Sequence, residues 1–248
     1  AFFRKRWTRF IQALIAERRA AGKAEGAPPR DLFELIEAAR DPETGQAFSA
    51  EQLGDQVATM ILAGHETTAT ALFWSLYLLA RDPATQDRVA AEARGLAAGD
   101  AASIERLTFT RAVIDETMRL YPPAFLIARA AAGPDTLGDG LDVAKGDVIL
   151  IAPWLLHRHE KLWRDPDAFV PERFAPGAPP PDRFAYLPFG VGPRVCIGAH
   201  FAIVEATLAL SKIIGAFHVE LDDDAPVMPM GVVTTQPDRS PPFRLARR

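Results

Sequence analysis

The sequence has one cysteine, Cys196, in 248 residues. That excludes an intrachain disulfide and any zinc site built on several thiolates. A reducing compartment fits but is not required. No stretch of about eighteen consecutive apolar residues occurs, so the sequence predicts no membrane-spanning helix. No secretory signal is visible. A basic excess is missing as well: 28 Lys and Arg stand against 32 Asp and Glu, for a formal net charge of -4. Nucleic-acid binding needs a clustered basic surplus, so no nucleic-acid partner is expected. The basic run Arg4-Lys5-Arg6 opens an amphipathic segment with Phe10, Ile11, Leu14 and Ile15. It reads as a solvated helix face rather than a membrane patch. An initial Met is lacking too, and Ala1-Phe2-Phe3 reads like the middle of a helix. The expectation is that an N-terminal portion, with any membrane anchor it carries, precedes Ala1.

What is present is 48% hydrophobic content, enough for a sizeable core at the upper end of one domain. Helical spacing predicts helices over residues 1–22 and 31–40, with breakers at Gly22 to Pro29 and a turn at 41–45. Ser49 with Gln52 has capping-box spacing and starts a long helix over about 49–81, stopped by Asp82-Pro83. From Val57 to Leu79 that helix is apolar nearly all round, which predicts burial in a large core. A helix to about Leu96 and another from Thr108 to Leu120 follow. Then composition shifts to Pro and Gly, with β-like runs at Leu126–Ala130 and Val148–Ala152. A last helix is predicted from about Cys196 to Ile214, with strands at Phe217–Leu221 and Val232–Thr235. The fold class is mainly α with small β-sheets.

A lone cysteine is ordinarily an inert buried residue. Here glycines crowd its approach, in Phe189-Gly190-Val191-Gly192-Pro193-Arg194-Val195-Cys196-Ile197-Gly198. A helix starting nearby stabilises a thiolate through its N-terminal amides and dipole. Arg194 offers a cation for a carboxylate of a bound group, and Phe189 an apolar plate. A plain turn into a buried helix needs none of these.

Inside the long helix, Ala63-Gly64-His65-Glu66-Thr67-Thr68 breaks helix preference. An interior Gly costs about 1 kcal/mol relative to Ala, and paired threonines are poor choices there. Such violations mark function: Gly64 lets a ligand approach the backbone, and a Thr hydroxyl can bond a carbonyl one turn earlier. His65 is read as structural. Farther on, Glu116 and Arg119 share a helix face at i and i+3, ahead of Tyr121-Pro122-Pro123. Pro171-Glu172-Arg173-Phe174 precedes the cysteine loop.

Together these residues resemble the cytochrome P-450 superfamily, of a soluble bacterial type. Phe189, Gly192, Arg194, Cys196 and Gly198 match its cysteine-ligand loop, F-x-x-G-x-R-x-C-x-G. The run from Ala63 to Thr68 matches its oxygen-activation motif, and Glu116 with Arg119 its E-x-x-R pair. The resemblance implies a cytochrome P-450 fold, with residues 1–248 as the C-terminal portion of one domain and the N-terminal part absent. It implies heme b (iron protoporphyrin IX), with Cys196 as axial ligand of the iron. The heme is expected to contact Ala63, Gly64, Phe189, Gly190, Ile197 and Gly198, with Arg194 and Arg129 at its propionates. Glu66 is expected to deliver protons, and Thr67 to hydrogen-bond dioxygen or a water beside it. Glu116, Arg119 and Arg173 are expected to form a structural ion-pair network under the loop, and His157 and Arg158 to be loop hydrogen-bonders.

The implied activity is monooxygenation: one atom of O2 enters a small hydrophobic organic substrate. Electrons would come from a ferredoxin with its ferredoxin reductase, or from a flavin reductase. Residues expected to face substrate are Met60, Ile61 and Ala63, Ala124 to Ile127, and Val232 to Thr235. The expected location is the cytoplasm. Two other readings stay open, a heme-thiolate peroxygenase, dehydratase or isomerase, and a truncated chain without catalysis.

Overall fold

The computed structural model describes residues 2–22, 28–94 and 101–248. Ala1, most of the breaker stretch after Gly22, and residues 95 and 96 of the predicted second helix lie outside them. The chain divides into two compact units, Ala1–His65 and Glu66–Arg248.

The first unit holds α1 (Phe2–Ala20), α2 (Leu32–Ala38) and the first half of α3 (Ala50–Arg81). Its core is Ile11, Ile15, Leu53 and Val57, with Trp7, Leu14, Phe33 and Ile36 packed on it. Those positions recur at helical spacing, so each helix turns one stripe inward. Asp31 caps α2, accepting from the Glu34 amide at 3.1 Å. Ser49 and Gln52 close a reciprocal cap at the start of α3: the Ser49 amide donates to Gln52 Oε1 (2.9 Å), the Gln52 amide to Ser49 Oγ (3.2 Å).

The second unit opens with the rest of α3. Asp82 then caps α4 (Pro83–Ala93), accepting from the Thr85 amide and hydroxyl at 3.1 and 2.6 Å. Pro83 fills the first helical position, where its missing N–H costs nothing. Helix α5 (Thr108–Leu120) has no side-chain cap of its own at Leu107. Glu92 on α4 caps it instead, accepting from the Phe109 and Thr110 amides at 2.8 and 2.7 Å. After α5 come β1 (Ile127–Ala130), β2 (Asp135–Leu137), β3 (Leu141–Val143), β4 (Val148–Ile151) and the short α6 (Pro153–Leu156). The chain ends in α7 (Ala199–Ala216), β5 (Phe217–Leu221), β6 (Pro229–Gly231), β7 (Thr235–Pro237) and β8 (Phe243–Arg247). The strands pair antiparallel in twos, β1 with β4, β2 with β3, β5 with β8 and β6 with β7.

The core of this unit joins α3, α4, α5, α7 and β5 through Ala71, Leu79, Val89, Val113, Ile114, Ile203, Leu210, Ile214 and Val219. Gln86 ties three of these elements together. Its amide donates to Leu79 O and Val219 O, both at 2.9 Å, and accepts from the Val219 amide at 2.8 Å.

Three expectations are corrected. Helix α3 is not buried along its apolar length: Trp74 and Leu79 are fully buried, but Ile61 is 37% and Leu62 62% exposed. Apolar composition alone does not decide which turns of a helix are covered. The run Val232–Thr235 is not a strand; residues 232–234 are the tip of the β6–β7 hairpin. Finally, α7 is long and apolar enough to cross a membrane by length and composition, although its apolar runs are short and interrupted. Here Ile203, Ala206, Leu210 and Ile214 of α7 enter the core.

Candidate functional site

Cys196 stands ahead of α7, not inside it. The helix begins at Ala199, with Gly198 as its N-cap. The loop folds back on itself: the Cys196 amide donates to Phe189 O at 2.9 Å and the Val195 amide to Gly192 O at 3.0 Å. Two of its positions are left-handed, Gly190 (φ 71°) and Gly192 (φ 75°), a backbone that suits glycine. Between them the chain reverses and carries Arg194 on a single 3-10 turn, Gly192–Arg194.

The thiol is exposed. Its neighbours in the chain are apolar and also open, with Val195 52%, Ile197 78% and Phe201 71% exposed. Behind it, Phe189 packs against the main core. A Cβ at Gly198 would lie 3.8 Å from Cys196 Sγ, and a Cβ at Gly190 3.8 Å from Ile127 Cδ1. The loop therefore touches the start of β1, the strand that carries Arg129. The Arg129 guanidinium is exposed and donates to Ala128 O at 2.8 Å.

These residues bear on which group could sit there. Among the described residues, no three of His, Cys, Asp and Glu gather into a metal site. A metal at Cys196 would take one protein donor and would need its remaining donors from a ligand of its own. An iron porphyrin meets that condition, and its flat apolar face suits the open Val195, Ile197 and Phe201. Arg194 and Arg129 suit its carboxylates. The residues present fit heme.

Under the loop lies a buried ion pair. Glu116 and Arg119 are both fully buried. Arg119 Nε donates to Glu116 Oε2 at 2.7 Å and its Nη2 to Oε1 at 2.8 Å, a two-pronged pairing. The other guanidinium hydrogens go to His157 O (2.8 Å), Pro166 O (2.6 Å) and Ala168 O (2.9 Å). All five donors of the guanidinium are thus used. Glu116 Oε1 also accepts from the Val170 amide at 2.8 Å. Arg173 is a looser third member: its Nε lies 3.4 Å from Glu116 Oε1 and makes no hydrogen bond. It is held by Nη2 donating to Asp165 O at 2.9 Å.

His157 links this pair to the loop. Its carbonyl accepts from Arg119, and its ring Nε2 accepts from the Leu187 amide at 2.8 Å, two residues before Phe189. That bond requires a neutral ring with the hydrogen on Nδ1. Burial pushes the His157 pKa down from 6.5 to about 4. A protonated His157 loses the Leu187 bond and sits charged in the interior. Its stabilising contribution is complete above about pH 6.5 and drains away as the pH falls to about 4, on the order of 3 kcal/mol in all. Urea midpoints measured across that window should fall with acid, and the slope should flatten in His157→Gln. An unchanged slope in the variant would remove His157 as the cause.

On α3, Glu66 and Thr67 are half-buried and belong to the second unit, while Ala63 and Gly64 close the first. A Cβ at Gly64 would meet nothing within 4 Å. Glu66 Oε1 accepts from Thr234 Oγ1 at 2.8 Å and from Gln236 Nε2 at 2.7 Å. No sequence signal pointed to this contact, because its partners lie 168 and 170 residues away.

A mainly helical chain with small antiparallel sheets and a cysteine loop before its last long helix has the architecture of the heme-thiolate class. The chain belongs to the cytochrome P-450 family, whose model, described as Cytochrome P450, matches residues 3–241. It is 42% identical over 193 residues to cyclooctatin synthase of Streptomyces melanosporofaciens, covering 76% of this chain and 42% of that protein. Cyclooctat-9-en-7-ol 5-monooxygenase of the same organism is 37% identical over 212 residues, 84% of this chain and 45% of the relative. The heme domain of a cytochrome P-450DA mutant superposes with a TM-score of 0.86 at 32% identity, over 97% of this chain and 52% of that one. The chain thus spans about half the length of the proteins it matches.

Proposed function

We propose that residues 1–248 are the C-terminal portion of a single cytochrome P-450 domain that acts as a heme-thiolate monooxygenase. The observation that carries this is the exposed Cys196 thiol on a glycine-bent loop, flanked by open apolar side chains. A monooxygenase among the relatives supports the reaction class. The reaction takes a substrate C–H bond, O2, two electrons and two protons, and returns an alcohol and water.

Bound heme b would supply the dioxygen chemistry. Cys196 would hold it as a thiolate, a strong electron donor. Phe189, Gly190, Ile197 and Gly198 would contact the macrocycle, and Arg194 and Arg129 would pair with its propionates. On α3, the methyl of Ala63 and the missing side chain of Gly64 would let a flat group approach the backbone. Glu66 holds and passes the protons the reaction consumes, and Thr67 orients the water or oxygen that receives them. The substrate is a small hydrophobic organic molecule, favoured by the apolar or small side chains of Ala124 to Ile127 and the exposed Val232 and Val233. Electrons come from a ferredoxin with its reductase, or from a flavin reductase.

The test uses heme-loaded protein with a ferredoxin, ferredoxin reductase and NADPH, a panel of terpenes and fatty acids, and isotopically labelled dioxygen. Product that needs the reductant and carries one labelled oxygen atom is the expected result. Product formed without reductant would point to a peroxygenase or isomerase instead.

A further inference from the structure

We propose that Thr234 and Gln236, on the β6–β7 hairpin, are positioning residues that aim the Glu66 carboxylate. The inference deepens the reading of Glu66 as the proton-delivering acid and rests on it.

Glu66, Thr70, Trp74 and Tyr77 lie along one face of α3, at i, i+4, i+8 and i+11. The segment from Val227 to Gln236 runs against this face. The Val227 amide donates to Tyr77 Oη at 3.4 Å, and Trp74 Nε1 donates to Thr235 O at 2.7 Å. Thr235 is also clamped from the other side: its hydroxyl donates to Pro122 O at 2.5 Å and its amide to Pro123 O at 3.1 Å. Successive side chains of an extended strand alternate in direction. With Thr235 turned toward Pro122, the Gln236 side chain turns the other way, and Thr234 lies just before β7 at the hairpin tip. Both reach Glu66 Oε1.

The hairpin is therefore anchored without Glu66, by Trp74, Tyr77, Pro122 and Pro123. The two bonds to the carboxylate are not needed to hold the hairpin; they fix the carboxylate. Two donors on one oxygen restrict the side chain to one rotamer, and hydrogen bonds to an ionised group are the strong kind. A carboxylate that relays protons depends on being held in position, since a misplacement of about 1 Å can cost 10²-fold in rate.

The test compares Thr234→Val, Gln236→Leu and Thr234→Ser. In this chain labelled with carbon-13 glutamate, the Glu66 carboxylate stretch is identified by its loss in Glu66→Gln. The expected result is a displaced band in Thr234→Val and Gln236→Leu, restored in Thr234→Ser. In heme-loaded protein, the same two variants should raise the solvent isotope effect. They should also slow product formation roughly ten-fold, the equivalent of one lost charge-assisted hydrogen bond, with the missing electrons recovered as hydrogen peroxide. An unmoved Glu66 band in both variants overturns the inference whatever the enzyme does. A moved band with unchanged isotope effect and peroxide yield overturns it as well, since the bonds would then serve folding only. Failure of the dioxygen-labelling test leaves the band shift intact, so the two readings fail separately.

Discussion

Cys196→Ser is expected to abolish the thiolate signature of the heme. Reduced, heme-loaded protein treated with carbon monoxide should show a red-shifted Soret band, and the variant should not. Serine keeps the size of cysteine and nearly its shape, so the loop should survive. The Cys196 amide still bonds Phe189 O, and Gly190 and Gly192 still carry the left-handed turns. What changes is the donor. A thiolate is a soft, strong electron donor to iron. An alcohol is not ionised at neutral pH, and its oxygen is a harder, weaker electron donor to iron. The loss should therefore be spectroscopic before it is structural, with the far-ultraviolet circular dichroism of the variant unchanged. A red-shifted band that persists in Cys196→Ser would remove this residue as the ligand and point to a thiolate from outside the chain, which has no second cysteine.

Much of the frame was legible in short-range pattern. Ser49 with Gln52, Asp82 with Pro83, and Tyr121 with its two prolines mark helix ends through chemistry that acts within a turn, and the helices start or stop there. The strand Phe217–Leu221 was readable as an apolar run, but its partner β8 was not, since pairing depends on where the distant chain returns. The β-branched run Val232 to Thr235 misled for a related reason. Strand preference reflects fit to a sheet surface, and here only Thr235 enters a strand, while Thr234 at the hairpin tip is held by Glu66. The site divides along the same line. Short motifs, through their resemblance to the family, pointed to Cys196, Arg194 and the Glu116–Arg119 pair. The Leu187 bond to His157 and the grip of Thr234 and Gln236 on Glu66 span from 30 to 170 residues, beyond any local pattern.

Loss of either buried charge under the loop should be the most destabilising change in the second unit. In Glu116→Ala the Arg119 guanidinium stays fully buried and keeps three carbonyls, but it loses its counter-charge and two hydrogen bonds. Stranding a buried charge costs about 3–5 kcal/mol, a large share of the 5–15 kcal/mol typical of a folded domain. Arg119→Lys should fare little better. Lysine has three donors where arginine uses five, and it cannot make the two-pronged pairing. The damage should reach the cysteine loop by a traceable route. Arg119 holds the His157 carbonyl, the His157 ring holds the Leu187 amide, and Leu187 leads into Phe189. Both variants should therefore purify with little heme, and their urea midpoints should drop sharply. Arg111→Ala is the comparison: the Arg111 side chain is 50% exposed and that of its α5 partner Asp115 13%, but Asp115 keeps the Tyr186 hydroxyl as a donor, so the loss should be smaller. Normal heme content in purified Glu116→Ala, with a midpoint no lower than that of Arg111→Ala, would show that the loop does not depend on the pair.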